Sequence, residues 1–486
     1  MKILIINPPH FSIGSRLPME HLPPLGLLSI GGPLIDAGHE VKLLDAEFGP
    51  LTYNEIVVRT LAFNPDAILL GHSGSTSAQP IINDITKLVR QENPNIKIII
   101  GGVFPTYHWQ EILQHNPQID YIVCGEGEET TVNLITALEK STPPENVKSI
   151  AFKLNGISSK TLPAENITRL DDFRVGWELM NGYNYTYWGK RKAVVIQFSR
   201  GCPYSCIYCG QRLFWNTWRH KDPQLLADEI EMLHKKYGVE VINFADENPS
   251  SNQKVWKEFL EALIAKNLNL TLVGSIRADN IVRDADFLHL YKKAGFERFL
   301  LGIENYSEPI LKKIKKQGSI AKDKEAIQLL RKHKILSMAT YVVGFGEEKT
   351  KDFYTSLKQL LFYDPDQIQL LYVTPHRWTP YFEEVKHKEI ILTDQRMWDY
   401  KHQVISIPNL KPCIVILYVK LIEIIMQTRP RALKRLFFHK EVRLRNAMHW
   451  YTNIGRRVWF YEWYQFFFIT KLTRHKIKMN DFWNWD

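Results

Sequence analysis

Three cysteines lie within eight residues near the middle of the chain. They are Cys202, Cys206 and Cys209, in the sequence CPYSCIYC. Three thiolates at this spacing can bind three irons of a cubane cluster, and the fourth iron then keeps an open position. That iron can chelate the amino and carboxylate groups of S-adenosylmethionine, and one electron from the cluster would cleave the sulfonium carbon–sulfur bond. The spacing therefore predicts a [4Fe-4S] cluster that activates S-adenosylmethionine.

A zinc site or a set of buried thiols is the alternative for these cysteines. Closed structural zinc sites usually have four ligands, and the nearest histidine downstream, His220, is not at zinc-finger spacing. The chain has five cysteines, and an odd number with three close together does not indicate a disulfide framework. Reduced thiols are typical of a reducing compartment, so we expect a cytoplasmic protein.

The sequence around the cysteines has the pattern of a (β/α) barrel. Helical stretches alternate with six candidate strands, at residues 194–198, 241–245, 270–274, 299–302, 339–343 and 368–372. One of the helices has Asp222 as its N-cap and Gly238 just past its end. Polar residues follow the strands, and the chemistry of barrels lies at that end. We predict a partial (β/α)6 TIM-type barrel within residues 191–400.

The first 145 residues have the pattern of an α/β domain with a doubly wound, Rossmann-like sheet. Each short apolar run ends in small or polar residues, at the edge where such sheets bind ligands. No GxGxxG follows the first strand, where the sequence is NPPH, so a dinucleotide site is not favoured. Scattered Pro, Gly, Ser and Asn over residues 146–190 indicate a linker with a small hairpin.

The positive charge of the chain is concentrated near its C-terminus. The net charge is +10, and residues 429–478 contain thirteen Lys or Arg against two Glu. This distribution does not favour a uniform nucleic-acid-binding surface, and we expect no nucleic-acid partner. Residues 401–486 are predicted to form a basic, aromatic helical region. It would cap the barrel with its aromatic rings buried or make a peripheral contact with the inner face of the membrane. RNA binding by stacking and charge is a third interpretation, and it is less favoured.

Together, the cysteine loop and the polar strand ends resemble the radical S-adenosylmethionine superfamily. The resemblance implies that the 245–247 loop meets the amino group of S-adenosylmethionine and that the backbone at Gly344 approaches its adenine. Ordinary loop chemistry or ion pairs at the barrel rim are the alternative for each position. The implied S-adenosylmethionine positions are Ala245, Asp246, Glu247, Ser275, Arg277, Glu304 and Gly344.

The first domain, placed ahead of such a barrel, resembles a cobalamin-binding domain. Its small residues would let the corrin ring and its nucleotide tail pack against the backbone. The DxHxxG motif that supplies a histidine to cobalt is absent, so the resemblance implies cobalt without a lower histidine ligand. The alternative is a domain without cofactor that supports the barrel. The implied cobalamin positions are Ser73, Ser75, Gly101, Gly102, Gly125, Glu126 and Gly127.

Within the cobalamin-dependent radical S-adenosylmethionine family, three segments resemble the anaerobic magnesium-protoporphyrin IX monomethyl ester oxidative cyclases: residues 200–215, 244–249 and 373–380. These enzymes of chlorophyll biosynthesis oxidise a propionate methyl ester side chain to a ketone without oxygen gas and close a ring. The implied substrate is an apolar tetrapyrrole, with Trp215, Arg377 and Trp378 as candidate contacts. Packing is the alternative for these three residues.

Two other functions remain open at this point. Cobalamin-dependent radical methyltransferases share the domain order and the cofactors, and they methylate an unactivated carbon or phosphorus. A non-catalytic cobalamin or redox sensor is the second alternative, because a fold does not determine a substrate. If the chain is an enzyme of this class, the resemblance implies reduced ferredoxin or flavodoxin as its electron donor.

Overall fold

The computed structural model describes residues 1–9, 20–72, 76–473 and 475–483. The chain divides into two compact units, Met1–Tyr185 and Thr186–Asp486. Each unit is built on its own seven-stranded sheet.

The first unit alternates strands and helices. Its strands are β1 (Lys2–Asn7), β2 (Glu40–Asp45), β3 (Ala67–His72), β4 (Lys97–Gly102), β5 (Tyr121–Val123), β6 (Ile150–Leu154) and β7 (Ile157–Lys160). Its helices are α1 (Leu25–Asp36), α2 (Tyr53–Phe63), α3 (Ala78–Glu92), α4 (Val103–His115) and α5 (Glu128–Glu139). The strand order in the sheet is β2-β1-β3-β4-β5-β6-β7.

Strand β1 lies at the switch point of this sheet. It pairs in parallel with both β2 and β3, so the chain order reverses on its two sides. Strands β1 and β3 are buried along most of their length, as expected for parallel strands with helices on both faces. The carboxyl ends of the strands beside a switch point form the usual ligand edge of such a sheet. The predicted doubly wound domain is confirmed.

The predicted hairpin after residue 146 is part of this sheet. Strand β6 pairs antiparallel with β5, and β7 pairs antiparallel with β6. Ile150, Ala151 and Phe152 are buried, and this apolar contact explains why the hairpin joins the sheet and does not lie in a free linker. The division between the two units falls after Tyr185.

The second unit contains the cysteines. Its strands are β8 (Thr186–Tyr187), β9 (Arg191–Ile196), β10 (Ser199–Arg200), β11 (Arg219–His220), β12 (Val241–Phe244), β13 (Thr271–Ile276), β14 (Phe296–Glu304), β15 (Leu336–Val343), β16 (Gln367–Tyr372), β17 (Glu389–Ile390) and β18 (Ile477–Lys478). Its helices are α6 (Pro223–Tyr237), α7 (Gln253–Ala265), α8 (Ala278–Arg283), α9 (Leu288–Ala294), α10 (Glu308–Lys313), α11 (Ile320–Lys332), α12 (Thr350–Tyr363), α13 (Pro380–Val385), α14 (Pro412–Thr428), α15 (Pro430–Phe438), α16 (Val442–Tyr464) and α17 (Met479–Phe482).

Six parallel strands form the predicted partial barrel. The sheet order is β16-β15-β14-β13-β12-β9-β8, and only β8 is antiparallel to its neighbour. Alternate residues are less buried in several strands, which marks one face of the sheet as partly accessible. Asn243, Ser275, Leu300 and Leu371 lie on this face, and their neighbours in the chain are buried against the helices or within the strand layer.

The ends of α6 agree with the sequence prediction. Asp222 is its N-cap, and the carboxylate accepts hydrogen bonds from the backbone N–H groups of Gln224 and Leu225. Gly238 follows the helix with φ +68, in the left-handed region that favours glycine.

Helix α16 covers the amino-terminal ends of the barrel strands. Arg443 donates to the carbonyl oxygen of Leu270, just before β13, and forms an ion pair with Glu297 in β14. Tyr451 donates to the carbonyl oxygen of Ile368 in β16. The C-terminal region therefore caps the barrel, as one of the interpretations predicted. The prediction that the aromatic rings of this region would be buried is wrong for Phe460, Phe467 and Phe468, which are exposed.

Candidate active site

The cysteines follow the first barrel strand in a loop that is closed by a short ribbon. Strand β10 pairs antiparallel with β11, and the three cysteines lie between these two strands. Gly201 has φ +89, and a Cβ atom there would collide with the carbonyl oxygen of Thr217. Glycine is therefore required where the backbone turns into the cysteine loop.

The three thiols are partly buried, and none is in a disulfide. Burial raises the pKa of Cys202, and it raises the pKa of Cys209 to about 11. Thiolates at these positions would need a strong positive partner, which iron supplies. The other two cysteines lie outside the loop: Cys124 is buried in the first unit, and Cys413 is exposed in α14.

This donor set fits a cubane with three protein ligands. In the described ranges, no three His, Cys, Asp or Glu side chains are grouped as around a single metal ion. Each thiolate of a cubane binds a different iron, so the three sulfur atoms need not converge on one point. Three thiols in one loop leave one corner of such a cluster without a protein thiolate.

A side-chain clamp holds the end of the cysteine loop. The Trp378 Nε1–H group donates to the carbonyl oxygen of Gly210 at 2.8 Å, and Gly210 directly follows Cys209. The Trp378 ring stacks on His376 with ring centroids 4.6 Å apart. His376 Nε2 is 2.6 Å from the hydroxyl oxygen of Tyr400. Trp378, predicted as a weak substrate contact, is buried and supports the loop in this structure.

Asp246 holds the start of the same loop. Its carboxylate accepts hydrogen bonds from the backbone N–H groups of Phe198 and Ser199, at 3.0 and 2.5 Å. The Ser199 hydroxyl donates to it at 2.6 Å. The side chain is buried, and burial raises its pKa to about 6. The predicted contact of Asp246 with S-adenosylmethionine competes with these bonds, so its carboxylate is better placed to position the loop.

Glu247 has the free carboxylate oxygen that Asp246 lacks. Its Oε2 atom is buried and has no hydrogen-bond partner. Burial, with a contribution from the charge of Asp246, raises the pKa of Glu247 to about 7. The carboxylate is near enough to Cys202 and Cys209 to affect their ionisation. A buried acceptor without a partner is costly, and the ammonium group of S-adenosylmethionine would satisfy it. Ala245, which precedes these two acids, is exposed.

Arg277 also contacts the cysteine loop. Its guanidinium carbon lies 3.5 Å from the ring centroid of Tyr204, which is inside the CPYSCIYC motif. Two of its nitrogens donate to the carboxylate of Asp279, at 2.9 and 3.0 Å. These contacts orient the arginine beside the thiols. Its positive charge lowers the pKa of Cys202, although burial raises that pKa by more. Ser275 lies on the partly accessible face of β13.

Glu304 ends strand β14 in the left-handed backbone region, with φ +66. The Lys316 ammonium group donates to its Oε1 atom at 3.1 Å. The Tyr208 hydroxyl, in the cysteine motif, donates a hydrogen bond to the same carboxylate. The predicted S-adenosylmethionine position at Glu304 is therefore already in an ion pair next to the cysteine loop.

Gly344 lies at the end of β15 with φ +104, and a Cβ atom there would lie 2.9 Å from Val373. Its N–H donates to Glu348, and its carbonyl oxygen accepts from the Tyr381 hydroxyl at 3.1 Å. The left-handed backbone and the nearby Val373 side chain both favour glycine at this position.

The other two predicted substrate contacts are partly exposed. The Arg200 guanidinium lies over the Trp215 ring, 4.9 Å from its centroid. Arg377 lies 5.7 Å from the centroid of a Trp483 ring. These cation–π contacts provide packing for both residues, and their partial exposure leaves them available to a ligand.

The first unit brings most of the predicted cobalamin positions to one edge. Gly101 and Gly102 end β4, and Gly125 to Gly127 follow β5. All five are partly exposed. At Gly102 the backbone also packs closely, since a Cβ atom there would lie 2.5 Å from the carbonyl oxygen of His72. The Glu126 carboxylate accepts from the N–H of Ile167 at 2.8 Å. Such a glycine-rich edge fits a flat, bulky ligand. Ser73 and Ser75 lie outside the described residues.

Sequence reasoning missed several residues beside the thiols. Tyr204 and Tyr208 stand inside the motif itself, so their positions could have been included. Lys316 and Tyr400 come from distant parts of the chain and follow no recognisable pattern. Only the fold brings them near Glu304 and His376.

Two protein families match the chain over separate ranges. The B12 binding domain matches residues 19–135, and the Radical SAM superfamily matches residues 196–360. The fold and the site thus define a radical S-adenosylmethionine enzyme with a B12-binding domain. Its cofactors are a [4Fe-4S] cluster, S-adenosylmethionine and cobalamin, as the sequence analysis predicted.

Curated relatives narrow this class. The chain is 55% identical over 483 residues to the anaerobic magnesium-protoporphyrin IX monomethyl ester cyclase of Synechocystis sp.. The match covers 99% of this chain and 97% of the relative. It is 30% identical to the enzyme of the same name from Cereibacter sphaeroides, over 85% of this chain and 67% of that one. The chain belongs to the family of anaerobic magnesium-protoporphyrin IX monomethyl ester cyclases.

A solved structure shares the fold over almost the whole chain. It is the cobalamin-dependent S-adenosylmethionine radical enzyme OxsB, with aqua-cobalamin and S-adenosylmethionine bound. The TM-score is 0.71 at 18% identity, with 95% of this chain and 72% of the other covered. At this identity the likeness concerns the fold, and it confirms the predicted fold class.

Proposed function

We propose that this chain catalyses the oxygen-independent oxidative cyclisation of magnesium-protoporphyrin IX monomethyl ester, a step of chlorophyll biosynthesis. The observation that carries this proposal is the 55% identity to the Synechocystis cyclase over nearly the full length of both chains. The cysteine loop at the carboxyl end of a barrel strand agrees with it, because that is the edge where barrels perform chemistry.

In this proposal Cys202, Cys206 and Cys209 hold the cluster, and Glu247 receives the amino group of S-adenosylmethionine. The bound cluster and S-adenosylmethionine supply the one-electron chemistry that removes hydrogen from an unactivated carbon. Asp246 and Trp378 fix the two ends of the loop through their contacts with Ser199 and Gly210.

The substrate would lie against the partly accessible face of the barrel sheet. Leu300 and Leu371 give this face apolar surface, as a tetrapyrrole requires. Trp215 and Arg377 are partly exposed in the same unit and could meet the ring and a carboxylate. Support for cobalamin at Gly101, Gly102, Gly125, Glu126 and Gly127 comes from their position at the ligand edge of the first sheet.

The reaction needs an external electron donor, for which we propose reduced ferredoxin or flavodoxin. Reduced cysteines in place of disulfides favour action in the cytoplasm. A peripheral contact with the inner membrane face is the second part of this expectation.

The test is turnover by the full chain, reconstituted without oxygen and supplied with S-adenosylmethionine, cobalamin, reductant and the porphyrin ester in ¹⁸O-labelled water. A labelled ketone on a cyclised product is expected. Methyl transfer from isotopically labelled S-adenosylmethionine would favour the methyltransferase alternative. A reduced enzyme that forms no 5′-deoxyadenosine would favour a sensor. The control is the Cys206→Ala variant, which should form neither the cyclised ketone nor 5′-deoxyadenosine.

A further inference from the structure

The C-terminal helices expose a large apolar and aromatic surface, here named the tail face. Isolated exposed apolar residues are normal, but a contiguous group of this kind usually marks an interaction site. Five side chains with exposed fractions between 43% and 78% define it: Leu421, Ile424, Phe460, Phe467 and Phe468.

The spacing of these residues places them on one side of each helix. Leu421 and Ile424 are three residues apart on α14. Phe460, Phe467 and Phe468 follow the i, i+7, i+8 pattern along α16 and the π-helical turn Gln465–Ile469. Helices α14 and α16 are neighbours, since the Trp459 Nε1–H group donates to the carbonyl oxygen of Lys420 at 3.4 Å.

The opposite sides of the same helices are held together by buried charges. The Lys420 ammonium group donates to Glu423 at 2.7 Å and also forms an ion pair with Glu462. Lys420, Glu423 and Glu462 are all buried. The helices are thus packed through this cluster, and the tail face contributes little to folding.

The charges exposed around the tail face are positive. Residues 412–478 contain three acidic side chains. Glu423 and Glu462 are buried in the cluster with Lys420, and Glu441 is bonded to Lys334 at 2.6 Å. The exposed cations in the described part of this region include Arg431, Lys434, Lys440, Arg456, Arg457 and Lys471.

We propose that the tail face binds the surface of an anionic lipid bilayer. Aromatic rings settle at the headgroup layer, and neighbouring Lys and Arg attract anionic lipids. None of the helices in the described ranges is long and apolar enough to cross a membrane. A second copy of the chain is a poorer partner, because the cations of both copies would face each other.

The proposal is independent of the reaction proposed above, since binding to vesicles is measured without substrate. The full chain is mixed with vesicles of phosphatidylcholine alone, or with about one third phosphatidylglycerol, and the bound fraction is measured by flotation. Binding to the anionic vesicles is expected, and it should fall as salt is raised.

Two variants separate the apolar and the electrostatic contributions. Replacing Phe460, Phe467 and Phe468 together by serine should weaken binding by at least about tenfold, because three rings that would be buried in the bilayer are lost. Arg456→Gln with Arg457→Gln should weaken it by about twenty-five-fold on anionic vesicles, at roughly fivefold for each cation. The matched control is Leu225→Ser with Ile157→Ser, two apolar side chains that are 54% and 70% exposed elsewhere. This control should bind like the parent.

Equal binding by the serine variant and the parent, with unchanged thermal unfolding, would overturn the proposal. So would binding that does not depend on phosphatidylglycerol. Sedimentation of the chain without lipid gives the remaining outcome. A dimer that the serine variant abolishes, together with no vesicle binding by the parent, would assign the tail face to a second copy.

Discussion

Asp246 and Glu247 follow one another in the chain but have different surroundings. The Asp246 carboxylate accepts three hydrogen bonds from Phe198 and Ser199. The Glu247 Oε2 atom has none, although it is buried near Cys202 and Cys209. Of two adjacent acids predicted for one ligand, only Glu247 therefore has a carboxylate oxygen available to a cation.

The Glu247→Gln variant should bind S-adenosylmethionine less tightly. A charge-assisted hydrogen bond contributes about 1.5–3 kcal/mol, so we expect the affinity to fall by roughly ten- to hundredfold. The measurement is the titration of S-adenosylmethionine into the reduced protein, followed by the electron paramagnetic resonance of the cluster. Glu258→Gln, on the exposed surface of α7, is the control. Unchanged affinity in E247Q would contradict the assigned role.

The Trp378→Phe variant isolates the hydrogen bond to Gly210. Phenylalanine can keep the stacking on His376 but leaves the Gly210 carbonyl oxygen without the indole donor. The loss of about 1–3 kcal/mol should loosen the loop and lower the retention of iron and sulfide during purification. Trp459→Phe, which loses a similar bond to Lys420, is the control. If W378F kept full iron and an unchanged cluster spectrum, Trp378 would be packing alone.

At the scale of whole elements, Asp364 joins α12 to the C-terminal helices. It follows α12 with φ +54, and its carboxylate accepts from Arg429 and Arg435, both at 2.8 Å. Burial alone would raise its pKa, but these two guanidinium groups lower the pKa of Asp364 to about 2. Its ion pairs thus connect helices that lie about 65 to 71 residues further along the chain.

Asp364→Asn should destabilise the second unit by about 3 kcal/mol, because it leaves buried Arg429 without its anion and half-buried Arg435 with Asp366 as its remaining anion. Asparagine tolerates the left-handed backbone, so the change removes charge without backbone strain. The folded pKa is below the unfolded value near 4, so this stabilisation is present above about pH 4 and is lost as the pH falls towards 2.

Urea unfolding of D364N and of the parent, from pH 7 down to pH 3, measures this difference. The gap between the two should narrow at low pH. Asp228→Asn, which removes a carboxylate from an exposed ion pair with Lys266, should have a much smaller effect. A gap that stays constant with pH would mean that the Asp364 charge does not stabilise the C-terminal helices.

The sequence was informative where a pattern is local. The CPYSCIYC motif, the capped helix α6 and the apolar strands are each contained in a short segment. The contact of Asp364 with Arg429 could not be predicted, since it depends on how distant helices pack. Nor could the exposed rings of α16, because aromatic residues occur almost all around its last turns. Their sequence has no apolar period that separates a buried side from an exposed one.

At the scale of the whole molecule, the second unit separates chemistry from stability along the barrel axis. The cysteine loop, Glu247 and Glu304 lie after the carboxyl ends of the strands. At the other end, α16 covers the strands, and buried Glu297 accepts from Trp188 at 2.8 Å and pairs with Arg443. In barrel enzymes the first end determines the reaction and the second stabilises the fold.

Glu297→Gln and Glu247→Gln should therefore have opposite effects. E297Q weakens the cap, and a loss of about 2 kcal/mol would lower Tm by roughly 5 °C in a unit of this size. Its affinity for S-adenosylmethionine should be unchanged, because Glu297 lies near the amino-terminal end of β14, where it contacts Trp188 and Arg443. E247Q should keep the parent Tm, or raise it, since it removes a carboxylate whose charged form is disfavoured by burial. Calorimetry and S-adenosylmethionine titration on both variants decide the matter. If E297Q also lost affinity, the two ends of the barrel would be coupled, and the cap would take part in shaping the site.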